Sequence, residues 1–329
     1  MKAAVFYSPK KITVEEVPLP AIGPGEILLK VRVCGLCGTD ISKIVERRVP
    51  PGTVLGHEVA GDIVKVGRGV KGFKVGQAVC VSHHIPCFQC HFCRHGNFSA
   101  CRQFKNTNIY PGGFSEYIRV PSLNVRFGMQ KLGSLSYEEG ALVESCACSL
   151  RAFKRAGFKR GDSLIIIGLG PVGLLHLLMA KALGASKIMA CDINAYRLKK
   201  ARELGAHLAI RPGPSAVRNL DLALVSVGLT QAIEEAPQYL RTGGTVLVFA
   251  ECSAESKITI SPNLIYHETS FIGSYSSTPL EQKECLRLIK SGKLPVKKLI
   301  TYRLPLSDIS EAVRLSRQGG KTFKIIITF

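Results

Sequence analysis

Ser163-Leu164-Ile165-Ile166-Ile167-Gly168-Leu169-Gly170-Pro171-Val172-Gly173 reads as a buried strand that runs into a tight turn and the first residues of a helix. A short β-branched apolar run bounded by glycine suits a strand covered on both faces. Gly-x-Gly-x-x-Gly by itself is weak evidence. Its setting carries the reading here, with the strand before it, an apolar helical stretch to Leu183 after it, and Asp192 about twenty residues on. Glycines let the backbone approach a pyrophosphate, and the unpaired N–H groups of a helix N-terminus favour an anion. Gly168, Gly170, Pro171, Val172 and Gly173 are therefore the candidate phosphate cradle. Asp192, which closes Met189-Ala190-Cys191, is the candidate acceptor for ribose hydroxyls. A carboxylate there repels a 2′-phosphate, so NAD is expected rather than NADP, a preference that Arg197 and Lys199 soften.

Outward from this turn, apolar strands alternate with helical stretches. The pattern predicts six parallel strands at residues 163–167, 187–191, 207–210, 222–227, 245–250 and 270–272, with helices over 173–183 and 195–204. That rhythm is the α/β arrangement of a doubly wound parallel sheet. The crossover after Ile210 holds Pro212, Gly213 and Pro214 and leaves little room for a helix, near the lower limit of about ten residues for a parallel connection. Residues 163–183 are apolar enough to resemble a membrane span, but the glycines, Pro171, His176 and Lys181 argue for strand, turn and buried helix.

The preceding part, to about residue 145, has short β-branched runs broken by Gly and Pro, such as residues 26–33 and 61–66, and reads as an all-β domain. The chain ends in Phe323-Lys324-Ile325-Ile326-Ile327-Thr328-Phe329, a final strand expected to rejoin that domain. Within the β part, Cys87-x2-Cys90-x2-Cys93-x7-Cys101 sets four thiols in a polar loop-like stretch. Four thiolates suit a closed tetrahedral zinc site. An iron–sulfur set needs its fourth cysteine sooner and followed by proline, whereas Cys101 precedes Arg102. A second group, Cys37-Gly38-Thr39-Asp40 and Gly56-His57-Glu58, has residue types that suit a catalytic zinc with an open position. Taken alone, a buried cysteine and a satisfied core histidine explain Cys37 and His57 equally well.

Gly56-His57-Glu58-x2-Gly61-x5-Gly67-x2-Val70 resembles the signature of zinc-dependent medium-chain alcohol dehydrogenases, and the motif order is similar to that of the polyol (sorbitol) and threonine branch along essentially the whole chain. The resemblance implies a mainly β GroES-like catalytic domain over residues 1–148 with a structural zinc lobe at about 84–104. It implies a Rossmann NAD-binding domain over 149–273 and a segment over 274–329 that returns to the catalytic domain. It implies two zinc ions, one catalytic and one structural. Cys37 and His57 become catalytic zinc ligands, Glu58 a direct or occasional ligand, and Asp40 the partner that orients His57. Cys87, Cys90, Cys93 and Cys101 fall on the structural lobe. The third ligand of the polyol branch opens a Glu-Pro-Leu-Ala stretch; here it reads Glu144-Ser145-Cys146-Ala147-Cys148, so Glu144 matches while Cys146 and Cys148 remain lesser candidates. Thr39 takes the place of a relay hydroxyl, with a turn role as the alternative. Ser42 stands where many relatives have histidine, so the proton route runs through water or Ser42.

The implied reaction is hydride transfer from a secondary alcohol of a polyol or sugar-like substrate to NAD. Among 329 residues, 44 Lys and Arg stand against 24 Asp and Glu, for a net charge of +20. The basic residues come in small groups without interleaved aromatics, which reads as a solvated surface and excludes nucleic-acid binding as the main role. A phosphorylated polyol would give the charge a purpose. A non-catalytic basic regulatory or binding protein on the same scaffold is the alternative class. Without an apolar leader or membrane span a cytoplasmic protein is expected, and twelve cysteines then mean metal ligands and buried thiols. A homo-oligomer, dimer or tetramer, is implied by resemblance.

Overall fold

The strand Ser163–Ile167 lies inside a six-stranded sheet that is parallel throughout. From one edge the order is Leu208–Ile210, Lys187–Cys191, Ser163–Ile167, Leu220–Val225, Leu240–Val248 and Ser270–Gly273. In chain order this is 3-2-1-4-5-6, the doubly wound arrangement whose order reverses beside the first strand. The computed structural model describes residues 1–213 and 216–329. Pro214 therefore lies outside the described residues, and none of the described residues between Ile210 and Leu220 is helical.

Two strands differ by more than one residue from the sequence pattern. The fourth strand is Leu220–Val225, and the fifth begins at Leu240 instead of Thr245. Arg241-Thr242-Gly243-Gly244 has the composition of a turn, but Gly243 takes a φ of +73° and lets the backbone keep its strand while its N–H bonds the His267 carbonyl.

The chain divides into two compact units. One comprises Cys148–Ser276 with Ser291–Pro295, and the other Met1–Ala147, Ser277–Lys290 and Val296–Phe329. In the first unit, helix Pro171–Leu183 begins with Pro171 after Gly170 and stops at Gly184, which has a φ of +83°. These are the residues that physics favours at the two ends. The helix buries Gly173 to Ala180 without a break, which accounts for its membrane-like composition. Among the described residues no helix is long and apolar enough to cross a membrane.

The second unit holds a seven-stranded sheet. Its path is Ile300–Pro305, Lys324–Thr328, Ile27–Leu36, Glu58–Val66, Ala78–Val81 and Met129–Lys131, with Tyr117–Val120 also pairing to Ile27–Leu36. A three-stranded sheet is built on Lys2–Ser8. The C-terminal strand does rejoin this unit, antiparallel to Ile27–Leu36. The all-β reading of the first 145 residues is corrected by helices, chiefly Gly38–Val45 and Tyr137–Arg155. The second carries Glu138 and Glu139 in its first turn and Lys154 and Arg155 in its last, charges that complement the helix dipole.

His176 is fully buried on helix Pro171–Leu183, with Nδ1 2.7 Å from the Ser149 hydroxyl and its ring edge-on to Phe153 and Phe249. Burial pushes its pKa down to about 3. Above the ordinary value of 6.5 the ring is neutral in both folded and unfolded chains, so stability does not vary with pH through this group. As pH falls toward 3 the unfolded chain takes up a proton that the folded chain refuses, and stability drops by about 1.4 kcal/mol per pH unit. His176→Leu is expected to flatten that acid limb in urea unfolding at pH 7, 6 and 5. An unchanged slope between variant and parent would show that the imidazole is protonated in the folded chain.

Candidate metal and nucleotide sites

Cys37 ends the turn after strand Ile27–Leu36 and caps helix Gly38–Val45, and His57 immediately precedes strand Glu58–Val66. Their pairing register sets Gly35 opposite Glu58. Two neighbouring strand ends thus bring Cys37, His57 and Glu58 together, with one ligand atom of each within 4.8 Å of the others. Asp40 is fully buried. It accepts bonds from the N–H of Cys37 at 3.1 Å and of Gly56 at 3.3 Å, and its Oδ1 lies 3.4 Å from His57 Nδ1. Burial opposes the Asp40 charge, but His57 and the Cys37 N–H outweigh it and hold the carboxyl below its usual range. Burial likewise opposes a His57 cation, yet Asp40 and Cys37 raise its pKa well above the ordinary value. The pocket thus demands positive charge, as a donor set built for a metal cation does.

Glu58 is held from the other side. Lys324 Nζ lies 2.5 Å from its carboxylate, and the Ser145 hydroxyl donates to Oε1 at 2.5 Å. The Glu58 side chain has no exposed surface and that of Lys324 is 10% exposed. Burial disfavours the ammonium, but Glu58 and Cys37 raise its pKa above the usual lysine range. Sheet geometry explains the reach. Ile326 pairs with Gly35 and Gly35 with Glu58, so Lys324, two residues from Ile326, shares their face. Gly35 supplies no side chain to obstruct it, and a Cβ there would collide with the Glu58 carboxylate.

Cys87, Cys90, Cys93 and Cys101 form a second cluster within the same 4.8 Å span. Cys87 and Cys93 sulfurs are 3.9 Å apart, close to the edge of about 3.8 Å for a tetrahedron with ~2.3 Å zinc–sulfur bonds. The N–H groups of Gln89 and Cys90 lower the Cys87 thiol to about 6, while burial and the neighbouring sulfurs push Cys93 up to about 12. A dication in their midst would relieve that conflict.

In the other unit, Gly168 has a φ of +89°. A Cβ at Gly173 would strike the Gly168 carbonyl, whereas one at Gly170 would meet nothing. The first and third glycines therefore serve the turn and the helix packing, and the second leaves open space for a ligand. Helix Pro171–Leu183 has no side-chain cap, so its first N–H groups are free to meet an anion. Asp192 accepts from the N–H of Leu169 at 2.6 Å and of Asn194 at 2.8 Å, and Arg197 Nη1 stands 3.7 Å away. A carboxylate with about four lone-pair sites keeps capacity for a ribose hydroxyl.

The description of the alcohol dehydrogenase GroES-like domain matches residues 23–126, and that of the zinc-binding dehydrogenase matches residues 171–291. Sorbitol dehydrogenase of Bombyx mori is 31% identical over 350 residues, covering 99% of this chain and 97% of that protein. The chain belongs to the zinc-dependent medium-chain dehydrogenases. Among solved structures, galactitol-1-phosphate dehydrogenase of Escherichia coli is 29% identical with a TM-score of 0.88, and all of both chains is covered. A zinc-binding dehydrogenase of Sinorhizobium meliloti bound to NADP is 26% identical with a TM-score of 0.89, covering 100% of this chain and 99% of that one.

Other residues named from the dehydrogenase's sequence are not members of the triad. Glu144 is buried and its charge acts on Lys324 and Cys146, but it is not part of the Cys37–His57–Glu58 cluster. Cys146 is fully buried and its thiol is pushed up by desolvation, which disfavours the thiolate a metal needs. Cys148 also lies outside the cluster. Thr39 is exposed beside Cys37, whereas the Ser42 hydroxyl donates to Glu46 at 3.0 Å on the exposed side of its helix. Lys324, Ser145 and the pair His83-His84 were not foreseen. A lysine inside the apolar run from Phe323 to Ile327 was the available signal for the first.

Removing one member of a buried ion pair leaves the other charge uncompensated, at about 3–5 kcal/mol. Lys324→Met is therefore expected to lose stability on that scale in urea unfolding, and Lys324→Met with Glu58→Gln to regain part of it. A loss below about 1 kcal/mol for the single variant would place the pair in contact with water.

Proposed function

We propose that this dehydrogenase oxidises a secondary alcohol of a polyol or sugar-like substrate with NAD. The observation that carries the reading is the Cys37–His57–Glu58 triad with the exposed Thr39 hydroxyl beside Cys37. Galactitol-1-phosphate and sorbitol dehydrogenases being similar to this chain supports a polyol as substrate. In this reading residues 1–148 are the catalytic domain, 149–273 the nucleotide domain and 274–329 the returning segment.

Cys37 and His57 hold the catalytic zinc, with Glu144 or Glu58 completing its protein ligands. Zinc, when bound, lowers the pKa of an alcohol hydroxyl, and the nicotinamide accepts the hydride. Asp40 holds the His57 ring through Nδ1, which leaves Nε2 as the nitrogen that would ligate a metal. Thr39 passes the hydroxyl proton toward water, since Ser42 is engaged by Glu46. Lys324 and Ser145 fix the position of the Glu58 carboxylate and offset its buried charge. Gly168, Gly170, Pro171, Val172 and Gly173 receive the pyrophosphate, and Asp192 the adenosine ribose. Because Arg197 faces Asp192, its charge is directed at the carboxylate and is less available to a 2′-phosphate, which supports NAD over NADP.

Cys87, Cys90, Cys93 and Cys101 hold the structural zinc. None of the twelve cysteines is in a disulfide, which suits a reducing, cytoplasmic setting. A dimer or tetramer belongs to the same reading by likeness to the family.

Zinc-loaded protein is expected to produce NADH from a polyol panel and Cys37→Ser to lose activity; full activity in that variant would overturn the catalytic assignment. NADP in place of NAD is expected to lower kcat/KM by roughly tenfold, and Asp192→Ser to narrow the gap. Two zinc ions per chain are expected by elemental analysis. Cys93→Ser should lose one of them together with several degrees of Tm, and Cys37→Ser the other with a smaller effect, because only the four-thiolate site organises its own loop.

A further inference from the structure

Beside the metal triad lies a second polar group that the reaction as described does not use. The His83 ring is 4.8 Å from the His57 ring and 4.1 Å from that of His84, centroid to centroid. His83 Nδ1 is buried and has no hydrogen-bond partner among the described residues. Leaving a buried imidazole nitrogen unpaired is unfavourable, so a ligand atom that pairs with it recovers part of that cost on binding. His84 is already committed. Its Nδ1 lies 2.5 Å from the Thr107 carbonyl and so carries the proton, and its ring packs on Phe104.

Lys43 supplies the third element. It follows Asp40 by three residues on helix Gly38–Val45, on the same face, and its charge acts on Asp40, His83 and His84. Its ammonium forms no ion pair or hydrogen bond among the described residues. The nearby acid, Asp40, is taken up by Cys37, Gly56 and His57. An orphaned nitrogen beside His57 and an unpaired cation one helical turn from Asp40 ask for a ligand with a hydroxyl and an anionic group.

We propose that His83 and Lys43 form a substrate subsite beside the metal triad that takes a polyol bearing an oxyanion, a phosphate ester or a carboxylate. This rests on the polyol reading above. His83 Nδ1 bonds an oxygen close to the reacting carbon, and Lys43 pairs with the charged group beyond it. Selectivity arises because a neutral polyol leaves the half-buried Lys43 ammonium unpaired, whereas an anionic one pairs it.

The test compares a neutral hexitol, a hexitol phosphate and an aldonate as substrates of the zinc-loaded enzyme and of its Lys43→Met, Lys43→Arg and His83→Phe variants. One anionic substrate is expected to exceed the neutral one in kcat/KM, and which of the two does so separates phosphate from carboxylate. Lys43→Met should lower the anionic-to-neutral ratio by about tenfold or more, through KM, while Lys43→Arg retains most of it. His83→Phe keeps the ring contact with His57 and should raise KM for all three. A second readout needs no turnover: with NAD present to occupy the nucleotide helix, inorganic phosphate or acetate should raise Tm of the parent but not of Lys43→Met. A neutral hexitol preferred by the parent, with no Tm response to either anion, overturns the subsite and leaves the polyol reading standing. No turnover of any substrate, with the anion response still dependent on Lys43, overturns the polyol reading and keeps the subsite.

Discussion

A carboxylate sealed inside a sheet must be matched by a cation or it will not remain charged, and Glu58 meets that requirement in a way that links distant parts of the unit carrying the Cys37–His57–Glu58 cluster. Its partner, Lys324, comes from the last strand, 266 residues away in sequence. The two meet because the C-terminal strand pairs with Ile27–Leu36, which pairs in turn with Glu58–Val66, and because Gly35 leaves the crossing open. One ion pair thus ties the returning segment to the strand end that presents His57. The same strand, Ile27–Leu36, leads into the turn that presents Cys37. Losing the lysine would therefore disturb more than a surface charge.

The two metal clusters illustrate different uses of the same ligand chemistry. The four thiols from Cys87 to Cys101 occupy a loop with short helical turns and a small apolar core of its own, in which the cysteines themselves pack with Phe98 and Phe104. A metal there would replace a hydrophobic core that the loop is too short to build. Cys37 and His57 instead sit at the ends of strands already fixed by a large core, so the fold and not the metal holds them in place. The nucleotide unit shows the same logic in its turn. Gly168 and Gly173 are required by backbone geometry, and Gly170 alone faces open space.

Much of this was legible in the residue string because it depends on local rules. Glycine at Gly168, proline at Pro171 and the apolar strand before them specify a strand, turn and helix wherever they occur. The four closely spaced cysteines also declare themselves, since ligands within fifteen residues need no distant partner. The extended strand beginning at Leu240 was missed because Gly243 and Gly244 look like a turn; they lie in an irregular stretch between Leu240, paired with Leu220, and Thr245, paired with Leu222. Ser42 looked like a relay by position, and only the fold turned its hydroxyl toward Glu46.

Sequence by itself determined the doubly wound sheet, the thiol lobe and the residue types of the metal turn, for each is encoded within a few turns of chain. Tertiary structure alone decided that Lys324 answers Glu58, that Glu144 stands outside the close triad, and that the His83 ring packs beside His57. Those relations join residues whose separation in the chain carries no periodic signal. They follow from strand register, where a shift of one residue would turn Lys324 to the opposite face and leave Glu58 buried without a counter-charge.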